Sequence, residues 1–90
     1  MTVKINIQKN LQYLTRDRAM VEVEGSTVGQ CLDQLIKIFP DLRTMASAGN
    51  KTWLDYVSIF VNKESAYPNE LATPVKDGDE IDIILIFAGG

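Results

Sequence analysis

Alternation of apolar and polar residues predicts four main strands in this chain. At the start, Val3, Ile5 and Ile7 alternate with polar residues, as in a strand that buries one face. The same two-residue period recurs in three later segments, at residues 19–24, 56–62 and 80–87. Turn-forming residues, among them Asn10 and Asp17, separate the first two segments, so these two are predicted to pair as a β-hairpin.

One helix is predicted between the second and third strands. Thr27 stands at the N-cap position with Gln30 three residues later, a pair that predicts a capping box. The apolar residues that follow share one helical face: Val28, Cys31, Leu32, Leu35, Ile36 and Phe39. Pro40 disfavours helical geometry at Phe39 and has no amide hydrogen to donate, so the helix is predicted to end there.

The remaining segments are predicted to be connections. Residues 41–55 mix small and polar side chains without a period, which indicates a long connection with room for one short helical turn. Residues 66–74 can carry at most a very short strand, because Pro68 and Pro74 lack backbone donors. Turns are predicted at residues 62–64 and at 77–79, an Asp-Gly-Asp sequence.

This order of elements predicts a two-layer α+β domain, with a mixed sheet of four to five strands and one main helix packed across one face. The first and last strands would lie parallel in the middle of the sheet, which is the β-grasp or ubiquitin-like layout. Ninety residues are enough for one domain of this kind, so we expect residues 1–90 to form a single domain with a flexible tail at 88–90.

Composition narrows the classes of function. A net charge of −3 without any histidine argues against nucleic acid as a partner and against histidine-based acid–base or metal chemistry, and it suits a basic partner surface better. The chain has one cysteine, which cannot form an intramolecular disulfide, and no signal peptide or apolar run of membrane length. We therefore expect a cytoplasmic protein without a membrane partner.

Two groups of side chains invite a chemical interpretation. Cys31 could be a sulfur-relay thiol or a metal ligand, but it lies on the apolar helix face, which favours a core residue. Four acidic residues cluster near the last strand: Asp77, Asp79, Glu80 and Asp82. Their spacing is not that of a calcium loop, so turn formation and solvation of a strand edge are favoured. We expect no metal site, no bound cofactor and no catalytic residue of the chain's own.

A second apolar surface is predicted on the sheet face opposite the helix. Ile84 and Ile86 point to that face from the last strand, and Phe60 matches them on the third. Ordinary β-propensity, with cover from residues 41–55, would explain these side chains. The alternative, a partner-docking patch, is preferred because clustered exposed apolar area beside a terminus usually marks an interface.

The sequence ends in Ala88, Gly89 and Gly90 directly after the last predicted strand. Glycine has no Cβ, so such an end can pass through a slot that any side chain would block. The tail is interpreted as a slender carrier of the Gly90 α-carboxylate. Because nothing follows Gly90 in the sequence, no trimming step is expected.

Three segments of the chain resemble the MoaD/ThiS family of sulfur carriers. They are Gly25-Ser26-Thr27-Val28, Val57-Ser58-Ile59-Phe60-Val61-Asn62, and Leu71 to Ile81 with the final Ala-Gly-Gly. The resemblance covers nearly the whole chain and is most specific from Val57 onward. Residues 41–55 are longer than in the shortest members, and Gln8 stands where the small subunit of molybdopterin synthase typically has an aromatic residue. The chain looks closer to the carriers of cysteine biosynthesis than to minimal ThiS.

The resemblance implies a chemical role for Gly90. An adenylyltransferase similar to MoeB or ThiF would use ATP and magnesium to adenylate the Gly90 carboxylate, and a persulfide would then convert it to a thiocarboxylate. A synthase similar to MoaE, ThiG or a cysteine synthase would accept the sulfur, for molybdopterin, thiamine or cysteine. The chain would be a carrier rather than an enzyme. Two alternatives stay open, namely a ubiquitin-like modifier that Gly90 joins to lysines, and a non-catalytic β-grasp interaction module.

Overall fold

The computed structural model describes residues 2–45 and 57–85. Their strands and helix, in chain order, are β1 (Thr2–Ile7), β2 (Met20–Glu24), α1 (Val28–Ile38), β3 (Val57–Val61), β4 (Glu64–Ser65) and β5 (Glu80–Leu85). Short 3₁₀ helices occupy Lys9–Leu14, Pro40–Met45 and Glu70–Ala72. None of the helices in these two ranges is both long and apolar enough to cross a membrane.

The strands form one mixed sheet in the order β2-β1-β5-β3-β4. β1 and β5 are parallel at its centre, and the other neighbours are antiparallel. This arrangement confirms the predicted α+β class, the β1–β2 hairpin and the central parallel pair of the β-grasp layout. The last described strand therefore lies in the middle of the sheet, with a hydrogen-bonded neighbour on each side.

The helix covers one face of the sheet, and the core lies between the two layers. Most side chains that the two-residue period assigned to this face are buried, and Val3, Ile5 and Ile81 are fully so. The exceptions lie at strand ends: Val61 and Leu85 are partly buried, and Ala19, just before β2, is exposed. The helix contributes the predicted apolar face: Val28, Cys31, Leu32, Leu35 and Ile36. Full burial of an aliphatic side chain stabilises the fold by about 1.5–3 kcal/mol, so this shared face is the main source of stability.

Side chains hold the helix start nearly as the sequence predicts. Thr27 is the N-cap, and its Oγ1 accepts a hydrogen bond from the Gln30 amide at 3.2 Å. In a capping box the Gln30 side chain would accept from the amide of the N-cap, Thr27. Instead, Gln30 Oε1 accepts from the amide of the preceding residue, Ser26, at 2.8 Å. The helix ends at Ile38 with Phe39 as C-cap, which confirms the boundary that Pro40 indicated.

Several connections differ in detail from the prediction. The segment after β1 is a 3₁₀ helix, Lys9–Leu14, which buries Leu11 and Leu14. Assigning Glu64 to the turn after β3 was wrong. Asn62 and Lys63 have φ of 50° and 73° and form a two-residue turn, so Glu64 already pairs with Val61.

The short strand before the last one lies earlier than predicted, since β4 is Glu64–Ser65 and the 66–74 segment holds the 3₁₀ helix Glu70–Ala72. Within 66–74, Pro74 forms an isolated bridge with Thr27, in line with the limit that proline sets. The 3₁₀ helix Pro40–Met45 supplies the short turn expected within 41–55. Residues 46–56 and 86–87, which include the predicted first residue of β3 and the last two of β5, lie outside the described residues.

Candidate functional site

The turn that precedes β5 fixes its register against β1. Gly78 has a φ of 88°, which glycine adopts without strain. The Thr2 amide donates to Asp77 Oδ1 at 2.9 Å, and the Gly78 amide donates to the Thr2 carbonyl at 2.9 Å. The predicted Asp-Gly-Asp turn is thus confirmed, and it ties the start of β5 to the start of β1.

Asp79 closes the same turn from inside. Its side chain is 9% exposed. Asp79 Oδ1 accepts from Asn62 Nδ2 at 3.1 Å, and Oδ2 accepts from the Lys76 amide at 2.9 Å. These hydrogen bonds, the one from Asn62 first, hold the pKa of Asp79 below its ordinary value, because they favour the charged carboxylate. Asn62 also makes two hydrogen bonds to the backbone of Glu80. The side-chain Oδ1 of Asn62 accepts from the Glu80 amide at 3.0 Å, and the backbone amide of Asn62 donates to the Glu80 carbonyl at 2.8 Å.

The two acidic side chains further along β5 have partners on the neighbouring strands. Asn6 Nδ2 on β1 donates to Glu80 Oε1 at 2.9 Å and to Asp82 Oδ1 at 2.7 Å. Lys63 Nζ forms an ion pair with Asp82 Oδ2 at 2.9 Å, which raises the pKa of Lys63. Partial burial raises the pKa of Asp82, but the hydrogen bonds from Asn6 and Lys63 outweigh it, so the net pKa lies below its ordinary value.

These contacts assign the acidic cluster to the turn and the sheet, as the sequence favoured. Within residues 2–45 and 57–85, no group of three or more histidine, cysteine, aspartate or glutamate side chains is placed to hold a metal ion. Cys31 is fully buried beside Gly25, where an added Cβ would lie 3.0 Å from its Sγ. Burial raises the pKa of the Cys31 thiol, so this side chain is a neutral core residue rather than an exposed nucleophile.

The predicted docking patch falls partly within the described residues. Phe60 and Ile84 lie on the sheet face opposite the helix, as predicted, on the adjacent strands β3 and β5. Ile84 is opposite Ser58 and is 39% exposed, whereas Phe60 is opposite Asp82 and half-buried. Their role in docking stays a prediction. The other members of the site, Ile86, Ala88, Gly89 and Gly90, lie outside the described residues.

Two further side chains on or next to this sheet face were not predicted to belong to the site. Met20 on β2 occupies the same row of the sheet as Phe60 and is 42% exposed. Gln8 follows the end of β1, and its Oε1 accepts a hydrogen bond from the Leu85 amide at 2.7 Å. The sequence offered one signal for Gln8, its position directly after the alternating segment of β1. That signal does not identify the hydrogen-bond partner, Leu85, which is distant in the sequence.

Comparison with known proteins places this geometry in a family. The model of the ThiS family matches residues 5–90, from β1 to the final glycine. No curated protein sequence matches the chain at a significant level.

Solved structures show the same fold. A chain in the crystal structure of the BexX/CysO complex of Amycolatopsis orientalis is 27% identical, with a TM-score of 0.79 and coverage of 98% of this chain and 99% of that one. CysO of Mycobacterium tuberculosis is 26% identical, with a TM-score of 0.75 and coverage of 93% and 98%. Small archaeal modifier protein 1 of Methanosarcina acetivorans, at 24% identity, has a TM-score of 0.81 and coverage of 99% and 96%. The family match over nearly the whole sequence, on a β-grasp sheet with β5 at its centre, shows that the chain belongs to the ThiS family.

Proposed function

We propose that this protein is a sulfur carrier whose Gly90 carboxylate is activated by a partner enzyme, converted to a thiocarboxylate and used as a sulfur donor. The observation that carries the proposal is the ThiS family match, which runs through β5 and on to residue 90. The chain itself acts as a substrate rather than as an enzyme.

The proposed chemistry follows from the poor reactivity of a carboxylate. A carboxylate oxygen of Gly90 attacks the α-phosphorus of ATP on a partner adenylyltransferase of the MoeB/ThiF type, magnesium assists, and pyrophosphate leaves. A persulfide sulfur then attacks the acyl carbon and AMP leaves. A thiol reduces the resulting acyl disulfide, which leaves the terminal sulfur on Gly90 as a thiocarboxylate. ATP is plentiful in the cytoplasm, where we place this cycle.

The fold suits a carrier that must present its end to two enzymes. β5, the strand that precedes the tail in the sequence, is hydrogen-bonded to β1 and β3. Gly89 and Gly90 offer reach without bulk. The exposed Ile84 on β5 and the half-buried Phe60 on β3 provide apolar area next to each other on the open side of the sheet.

The sulfur acceptor is proposed to be a synthase, for cysteine, molybdopterin or thiamine. A chain at 27% identity occurs in a complex of CysO with a second protein, BexX, which supports a protein partner on which the carrier docks. The resemblance of residues 41–62 to the carriers of cysteine biosynthesis favours cysteine among these three.

Mass spectrometry of the intact chain tests the proposal. The protein is incubated with its activating enzyme, ATP, magnesium and a persulfide donor, and we expect a gain equal to the mass difference between sulfur and oxygen. Deletion of Gly90 must abolish the gain. Cys31→Ala must retain it, because the thiol of that residue is buried in the core. Absence of the gain in the wild type, or its persistence after deletion of Gly90, would contradict the proposal.

The same sample separates the carrier from its alternatives. Addition of cell extract should yield no high-mass conjugates, since a ubiquitin-like modifier would instead form isopeptide bonds between Gly90 and lysines. A plain interaction module would show no sulfur gain at all, and it would bind its partner equally well after removal of Gly89 and Gly90.

A further inference from the structure

Gln8 stands where the parallel pairing of β1 with β5 comes to its end. The last pair of this ladder is Ile7 with Ile83. The Lys4 amide donates to the Asp79 carbonyl at 3.0 Å, so even-numbered residues of β1 direct their backbone groups toward odd-numbered residues of β5. With the even spacing of a parallel ladder, the Leu85 amide is the next donor, and the Gln8 carbonyl is its expected acceptor.

The backbone carbonyl of Gln8 is engaged elsewhere. Gln8 has a φ of −60° and a ψ of 145° and begins the 3₁₀ helix Lys9–Leu14, where its carbonyl accepts from the Leu11 amide at 2.8 Å. Its side chain supplies the missing acceptor, since Gln8 Oε1 lies 2.7 Å from the Leu85 amide nitrogen. One glutamine thus ends β1 with its main chain and continues the ladder with its carboxamide.

The surroundings of Gln8 fix its position. Gln12 Nε2 donates to the Ile7 carbonyl at 3.0 Å and so ties the 3₁₀ helix to the end of β1. Leu11 and Leu14, on the same 3₁₀ helix, are buried in the core. The backbone of Gln8 is therefore held by the fold, while its exposed side chain reaches the Leu85 amide through Oε1.

We propose that Gln8 is a positioning residue for the carboxyl-terminal tail. Its Oε1 extends the β1–β5 ladder by one hydrogen bond and holds Leu85, the last described residue of β5, from which the sequence continues to Gly90. The effect on activation rests on the proposed carrier function, whereas the effect on Leu85 does not. Loss of the bond would give Leu85 more freedom to move. Fewer docked complexes would then hold the Gly90 carboxylate in a reactive geometry.

Amide hydrogen exchange of the ¹⁵N-labelled protein tests the anchor directly. In Gln8→Leu, which keeps the side-chain bulk but removes the acceptor, exchange of the Leu85 amide should accelerate by about two- to tenfold, the value of one hydrogen bond. Gln8→Glu replaces the carboxamide oxygen with a carboxylate oxygen, which can still accept the bond, so Leu85 exchange should keep the wild-type rate. The Ile81 amide, inside the same ladder, is the internal control for global unfolding. Equal Leu85 exchange in all three proteins, or equally fast exchange in both variants, would overturn the inference.

Steady-state adenylation, with the carrier as the varied substrate, tests the consequence. Gln8→Leu should lower kcat about two- to tenfold, because fewer docked complexes are reactive, and Gln8→Glu should restore kcat. Phe60 and Ile84 are unchanged in both variants, so KM should change less than kcat. An unchanged kcat in Gln8→Leu would remove the positioning role. If the wild type is not adenylated, the proposed function fails together with this consequence, while the exchange rates still decide whether Gln8 anchors Leu85.

Discussion

At the scale of single residues, the start of β5 depends on one carboxylate and one carboxamide. Asn62 donates to Asp79 and also brackets the backbone of Glu80, so two side chains fasten the turn, β3 and β5 together. The hydrogen bonds of Asp79 hold only its charged form in place. The fold should therefore lose this contribution when the carboxylate becomes protonated.

This dependence gives a prediction for acid stability. Asp79 binds its proton near the ordinary value of 3.8 when unfolded and at lower pH when folded. Its stabilising contribution is therefore complete above the unfolded pKa and is lost as the pH falls through the folded pKa. Urea unfolding of the wild type between about pH 2.5 and pH 7 should show the free energy of unfolding decrease on the acid side. Asp79→Asn should flatten this acid slope.

A double-mutant cycle provides the control. Asn62→Ala removes the principal hydrogen-bond donor to Asp79 and should also flatten the slope, while the combined variant should flatten it no further than Asp79→Asn alone. The slope is the readout rather than the absolute stability, because Asn62 has a φ of 50° that alanine tolerates poorly. If the free energy of unfolding of Asp79→Asn fell with pH as steeply as in the wild type, Asp79 would not be a source of the acid dependence.

At the scale of elements, the start of α1 is held by a side chain that the sequence identifies. Thr27→Ala removes the acceptor of the Gln30 amide and should lower the free energy of unfolding by about 1 kcal/mol. Thr27→Ser keeps the hydroxyl and should lose clearly less. Urea unfolding of the three proteins at neutral pH measures the difference, and equal losses in both variants would show that the hydroxyl bond contributes nothing.

Elements that bury one face were predictable, and those fixed by distant partners were not. Periodicity located α1 and the long strands because burial repeats along each of them. The 3₁₀ helix Lys9–Leu14 offers only Leu11 and Leu14 as a signal, and β4 has two residues, too few to show a period. Phe60 and Ile84 were placed on the correct face by the same argument. The bond from Leu85 to Gln8 was not foreseen, because it joins residues 77 positions apart whose register only the folded sheet defines.

At the scale of the whole molecule, apolar side chains lie on both faces of the sheet. The helix-covered face forms the core, while the opposite face mixes hydrogen-bonded polar residues such as Asn6 and Asp82 with the exposed Ile84 and the half-buried Phe60. Ile84 lies on β5, the strand that precedes the tail in the sequence. Under the proposed function, a partner that docks on Ile84 would therefore bind close to that strand, and docking and presentation of the carboxylate would be one binding event.

Replacement of the exposed isoleucine tests this coupling. Ile84→Asp should leave folding largely intact, since the new carboxylate reaches solvent, but it should weaken binding to the activating enzyme by at least about thirtyfold, as for a central apolar contact. Phe60→Asp should act in the same direction.

The matched control is Ile38→Asp on α1, because Ile38 is 44% exposed but belongs to the helix layer. Titration calorimetry gives the three affinities, and circular dichroism reports folding. Unfolding of both Ile84→Asp and Phe60→Asp would show that these residues belong to the core. If Ile38→Asp weakened binding as much as Ile84→Asp, the loss of affinity would not be specific to the sheet face opposite the helix.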